Sequence, residues 1–137
     1  MEYEILEHTA DIGLSIKASN LKELFATAAK GMTSLLVSGE IQEKETIEIF
    51  LEAQSIEEIF HDWLSEINYM FLVKQKIFQR FLVLEISPLT LRAVCYGESC
   101  NVQNHTYLTE IKAVTYHQMQ VKEKKPGEWY AQVYFDL

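Results

Sequence analysis

Apolar and polar positions change their spacing several times along this chain. Residues 13 to 18, GLSIKA, alternate, with Leu14, Ile16 and Ala18 on one side, and predict a half-buried strand. The period then lengthens. Leu21, Leu24, Phe25, Ala28, Met32, Leu35 and Leu36 recur at the i, i+3, i+4 spacing of an amphipathic helix. Asn20 with Glu23 has the form of a capping box, with Asn in place of Ser or Thr. Residues 45 to 52, ETIEIFLE, alternate again and turn Ile47, Ile49 and Leu51 inward. A second helix follows: Ser55 and Glu58 make its capping box, and Ile56, Ile59, Phe60, Trp63, Leu64, Ile67, Met70 and Phe71 form its apolar stripe.

From residue 77 the pattern is mostly that of strands. An apolar run over 77–86 turns at Ser87-Pro88 and resumes as LTLRAVCYGE. Residues 110 to 121, EIKAVTYHQMQV, read as one long alternating strand that places His117 on the face of Ile111, Ala113 and Met119. Lys125-Pro126-Gly127 is a hairpin signal, and EWYAQVYFDL returns as the last strand. Two helices among antiparallel strands predict an α+β fold. It is expected as a single domain over residues 1–137, mainly antiparallel sheet, with both helices packed on one face. Strand and helix do not alternate long enough for a doubly wound parallel sheet.

Composition narrows the function classes. Of 137 residues, 48% are hydrophobic, enough for a real core, and 20 acidic against 12 basic side chains leave a formal charge of -8. A direct grip on nucleic acid needs clustered Lys and Arg, so none is expected. The acidity suits cations or basic partners. No apolar run reaches the roughly 20 residues of a membrane span. MEYEILEHTAD lacks the positive start of a signal peptide. The spacing of Cys95 and Cys100 fits no zinc pattern, and both are read as reduced thiols of a cytoplasmic protein.

Nucleophile elbows and phosphate-binding glycine loops are missing, and no two of His8, His61, His105 and His117 stand four apart as a helical zinc pair would. His61 is read as rimming the core and His117 as a structural residue. The carboxylates carry more. Asp136 lies next to the terminal Leu137, whose α-carboxylate adds a second anion, and Asp11 sits in the early turn EHTADIG. Three oxygen donors brought together would select a hard cation such as Ca²⁺ or Mg²⁺. Carboxylates scattered over the surface are the alternative, because nothing local sets Asp11 beside Asp136.

EHTADIG, HDWLSEINYMF, EIKAVTYHQMQV and the terminal FDL, in this order and at these separations, together resemble the archease family across essentially the whole chain. The resemblance implies a non-enzymatic protein cofactor of the RtcB-type RNA ligase. That ligase joins a 2′,3′-cyclic phosphate or 3′-phosphate RNA end to a 5′-hydroxyl, using GTP and Mn²⁺, through a guanylylated histidine. The family's role is to promote guanylylation and repeated turnover in tRNA splicing and RNA repair. It further implies a divalent metal, Ca²⁺ first and Mg²⁺ or Mn²⁺ as alternatives, held by Asp11, Asp136 and the carboxylate of Leu137. His8 becomes a candidate for orienting Asp11 or facing the ligase, and Lys112 for pointing at the metal or at the partner, with a solvated strand face as its alternative. Ser65 and Asn101 depart from the family pattern, which has Asn and an acidic residue there. A chaperone-like interaction module with a structural Ca²⁺ site is the competing reading. A metal-dependent hydrolase is a weaker one, since no general base can be named.

Overall fold

The computed structural model describes residues 1–7 and 11–137. Strands β1 (Glu2–Glu7) and β2 (Asp11–Ala18) pair antiparallel, with Ile5 opposite Leu14. Helix α1 (Leu21–Leu36) starts where the Asn20 side chain accepts the Glu23 N–H at 2.9 Å. This satisfies one of the donors that a helix start leaves open. The predicted stripe is its buried face, with Leu24, Phe25, Ala28 and Met32 fully enclosed. The helix ends as Val37 turns extended (φ -154°) and enters β3 (Val37–Ser38).

β4 (Glu45–Glu52) leads to α2 (Ile56–Leu72), whose start is capped by Ser55 Oγ accepting the Glu58 N–H at 3.1 Å. Glu57 and Glu58 lie in its first turn, where the helix dipole favours negative charge. Trp63 is the largest enclosed side chain, and its indole N–H donates to the Phe25 carbonyl at 2.9 Å. That bond and the edge-on Phe25–Phe60 contact at 5.1 Å lock α2 against α1.

β5 (Lys76–Ile86) and β6 (Thr90–Ser99) form the predicted hairpin, closed by Ser87 Oγ accepting the Thr90 N–H at 3.0 Å. With β4 they make a three-stranded antiparallel sheet in the order β4-β6-β5. β7 (Thr106–Tyr107) pairs β3. β8 (Ala113–Val114), β9 (Gln120–Lys125) and β10 (Glu128–Asp136) complete the other large sheet, in the order β1-β2-β10-β8 with β9 also on β10. Pro126 and Gly127, the latter at φ +79°, make the β9–β10 turn with the pairing a type II turn requires. The fold is α+β, as expected. Both helices lie on sheet faces, and α1 meets β5 of one sheet and β2 of the other, so one core serves both.

One expected element divides. Residues 110–121 do not form a continuous strand: β8 and β9 both use the same edge of β10, at Phe135–Asp136 and at Glu128–Gln132. Between them the chain leaves the edge through a turn closed by Met119 N–H to Tyr116 O at 3.1 Å, with Gln118 at φ +53°. Gln132 steadies this turn by donating to the Gln118 carbonyl at 2.9 Å. Ile111, Val114 and Val121 are therefore the buried positions, while Ala113 and His117 are exposed.

Candidate metal centre

The β2–β10 ladder is set by its buried side. Leu14 opposes Val133 and Ile16 opposes Ala131, all four fully enclosed. Alternation sends the intervening residues to the other face. There Tyr134 opposes Gly13, and a Cβ on Gly13 would stand 2.7 Å from the Tyr134 ring, so the glycine is what lets that ring lie across β2. The next pair on this face, and the last of the ladder, is Asp11 opposite Asp136.

Directly opposed strand residues carry their Cβ atoms about 4.5–5.5 Å apart. Two carboxylates therefore share one face at the end of the ladder, Asp11 half-buried and Asp136 exposed. Among the described residues neither forms an ion pair with Lys, Arg or His. Like charges directly opposite weaken a sheet, and an oxygen-seeking cation would relieve them, so the donor set fits a hard divalent ion. Among the described residues no group of three His, Cys, Asp or Glu side chains suits a metal. The third donor expected from the sequence is the α-carboxylate of Leu137, which is not a side chain.

The other expected residues separate. His8 lies outside the described residues. Lys112 is exposed; its main-chain N–H donates to the Asp136 carbonyl at 2.8 Å, it lines a groove against α2, and among the described residues it forms no ion pair with a carboxylate. The sequence did not disclose what holds this segment. His61 Nε2 lies 2.8 Å from the Val114 carbonyl, and Asn68 Nδ2 donates to the Ile111 carbonyl at 2.8 Å. Two side chains of α2 thus fasten the segment that carries Lys112 and backs Asp136. The available signal was the polar Asn68 on an otherwise apolar helix face.

Glu98 and His105 form a separate, interior pair. His105 Nδ1 accepts the Asn101 N–H at 2.9 Å, which leaves the proton on Nε2, 3.2 Å from Glu98 Oε2 and 3.0 Å from the Glu40 carbonyl. Glu98 also accepts the Gln42 N–H at 2.7 Å. That bond first, helped by Lys44 and His105 against the cost of burial, holds the Glu98 carboxyl below the usual carboxylate range. The pair ties the 39–44 and 100–105 loops together and has a structural role. Cys95 and Cys100 are both free; burial pushes the Cys95 thiol up to about 12. No helix among the described residues is long and apolar enough to cross a membrane.

Comparison with known proteins covers nearly the whole chain. Residues 3–137 match the profile of the archease protein family. The protein archease of Methanosarcina acetivorans is 38% identical over 141 residues, spanning 99% of this chain and 96% of that protein. That of Methanopyrus kandleri is 35% identical and spans all of both. The solution structure of protein 1598 from Methanobacterium thermoautotrophicum superposes with a TM-score of 0.75 at 28% identity, over 98% of each chain. The crystal structure of a Thermotoga maritima protein, described as an archease and possible chaperone, shares the fold with a TM-score of 0.65 at 22% identity, over 96% of this chain and 94% of that one.

Proposed function

This chain belongs to the archease family, and from that membership we propose that it is a non-catalytic activator of an RtcB-type RNA ligase in the cytoplasm. It promotes guanylylation of the ligase and its repeated turnover in tRNA splicing and RNA repair. The observation that carries the metal part of this reading is the opposed pair Asp11 and Asp136, two anions without an ion-pair partner among the described residues. Asp11, Asp136 and the α-carboxylate of Leu137 hold the cation, Ca²⁺ first and Mg²⁺ or Mn²⁺ as alternatives. When bound, the ion would supply positive charge that attracts anionic oxygens of a partner.

The chain's own residues position that charge. The β2–β10 register sets both side-chain carboxylates on one face, and the Lys112 N–H fixes the backbone of Asp136. His8 and Lys112 are assigned to contact with the ligase. A partner of this kind activates only by binding one state of the ligase better than another. The net charge of -8 favours encounter with a basic protein surface.

The test is RNA joining by the cognate ligase in multiple turnover with GTP and Mn²⁺, titrating in the wild-type chain or Asp11→Ala at substoichiometric amounts. Stimulation by the first and not the second supports the reading; stimulation by both removes the metal from it. A Thermotoga maritima protein of the same fold is described as a possible chaperone, and this favours a second reading, a chaperone-like module. Under that reading the ligase assay stays flat while aggregation of an unrelated unfolded protein is suppressed. Extending the chain beyond Leu137 would weaken Ca²⁺ binding only if the α-carboxylate is a ligand.

A further inference from the structure

The outer face of α2 changes character along its length. Glu58, Asp62 and Glu66 follow one another at four-residue spacing, and the same stripe continues as Tyr69 and Val73. Among the described residues no Lys or Arg pairs with the three acids; Asp62 meets only the ring of His61, at 3.0 Å. The neighbouring Tyr116 hydroxyl is pushed up, first by partial burial and then by the charges of Asp62 and Glu58. At the other end Tyr69 (45%), Leu72 (39%) and Val73 (60%) are large apolar side chains left in water.

Leu72 stands between two grooves. One runs against Lys112–Val114, and the other runs against Tyr107–Glu110, where Tyr107 and Leu108 are also exposed. Exposed apolar side chains are ordinary when scattered; gathered around one helix end with a flanking charged stripe they mark an interaction surface. Charge and position both speak for the occupant. The unpaired acids call for Lys or Arg on the partner. The groove beside Lys112 adjoins the segment bonded to Asp136, so a protein that engages the carboxylate pair is seated next to it.

We infer that the C-terminal half of α2, with the grooves on either side of Leu72, docks the ligase through a protruding apolar segment flanked by basic residues. This rests on the function proposed above and adds the surface and the chemistry of its counterpart.

Binding of the purified cognate ligase would be measured by calorimetry for the wild type, Leu72→Ser/Val73→Ser and Glu58→Gln/Glu66→Gln, at low and moderate salt. The substituted side chains are partly or largely exposed, and circular dichroism checks that each variant folds. The apolar double variant should bind about tenfold or more weakly, as for a central anchor. The acid double variant should lose part of the salt dependence. Wild-type binding with both variants within twofold overturns the docking surface and leaves the proposed function standing. No binding by the wild type overturns both. A wild-type dimer in solution that Leu72→Ser/Val73→Ser dissociates would make the occupant a second copy of this chain and overturn the inference.

Discussion

Asp136→Asn is the substitution with the most specific consequence. It removes one of two opposed charges at the end of the β2–β10 ladder while keeping the side-chain shape. Carboxylates about 6 Å apart in water-like surroundings repel by ~0.7 kcal/mol. Cross-strand like-charge pairs fall in the range of roughly 0.2–1 kcal/mol. Asp136 is exposed, so salt reduces the effect further. With EDTA at low salt the variant should therefore be more stable than the wild type by about 0.5 kcal/mol, a rise of about 2 °C in Tm for a chain of this size. With Ca²⁺ the order should reverse. A ligand that binds only the native state adds about 2.7 kcal/mol at a hundredfold excess over its Kd, and the variant forfeits most of that. Thermal unfolding followed by circular dichroism, with EDTA and then across a Ca²⁺ titration, reads both effects. Two results would refute the reasoning: a variant clearly less stable than wild type in EDTA, or an equal Ca²⁺ shift in both proteins.

Other expectations follow from the packing. Gly97→Ala should cost about 3 kcal/mol or more in urea unfolding, because its Cβ would lie 1.8 Å from the Ile77 carbonyl oxygen, a backbone atom that cannot swing aside. Gly127→Ala, at φ +79° with open space around it, should cost only about 1 kcal/mol of backbone strain. The lowered Glu98 pKa means that its contribution is complete above the ordinary carboxylate range and disappears as pH falls through the folded-state value. Acid unfolding followed by tryptophan fluorescence should therefore show Glu98→Gln less stable near neutrality and converging with wild type at low pH. The Cys95 thiol, pushed up to about 12, stays protonated at pH 8 and should resist a thiol reagent until denaturant is added. Native Cys100→Ser should then show no reactive thiol.

Much of this architecture could be read locally. Both helices begin at the expected caps and bury the expected stripes, because a capping side chain and a 3.6-residue period are properties of neighbouring residues. The 45–52 strand and the two hairpin turns follow for the same reason. The 110–121 run departs from the expected continuous strand because alternation does not say which edge a strand will use. β8 and β9 share one edge of β10, and the chain must leave it between them. The hydrogen bonds from His61 and Asn68 to that segment span more than forty positions, from 61 to 114 and from 68 to 111, and leave no periodic trace.

The candidate centre divides in the same way. Sequence alone supplied the ligand types, the motif around Asp11 and the penultimate Asp136. It did not place them together. Burial of Leu14 and Ile16 against Val133 and Ala131 does that, since a slip of one residue would turn these apolar side chains to water and separate the two carboxylates. The sequence determined both helices, the 45–52 strand, the two hairpins and which oxygen donors exist; the tertiary structure decided that two of those donors face each other, because the strand register is fixed by the shared core on the opposite side of the sheet.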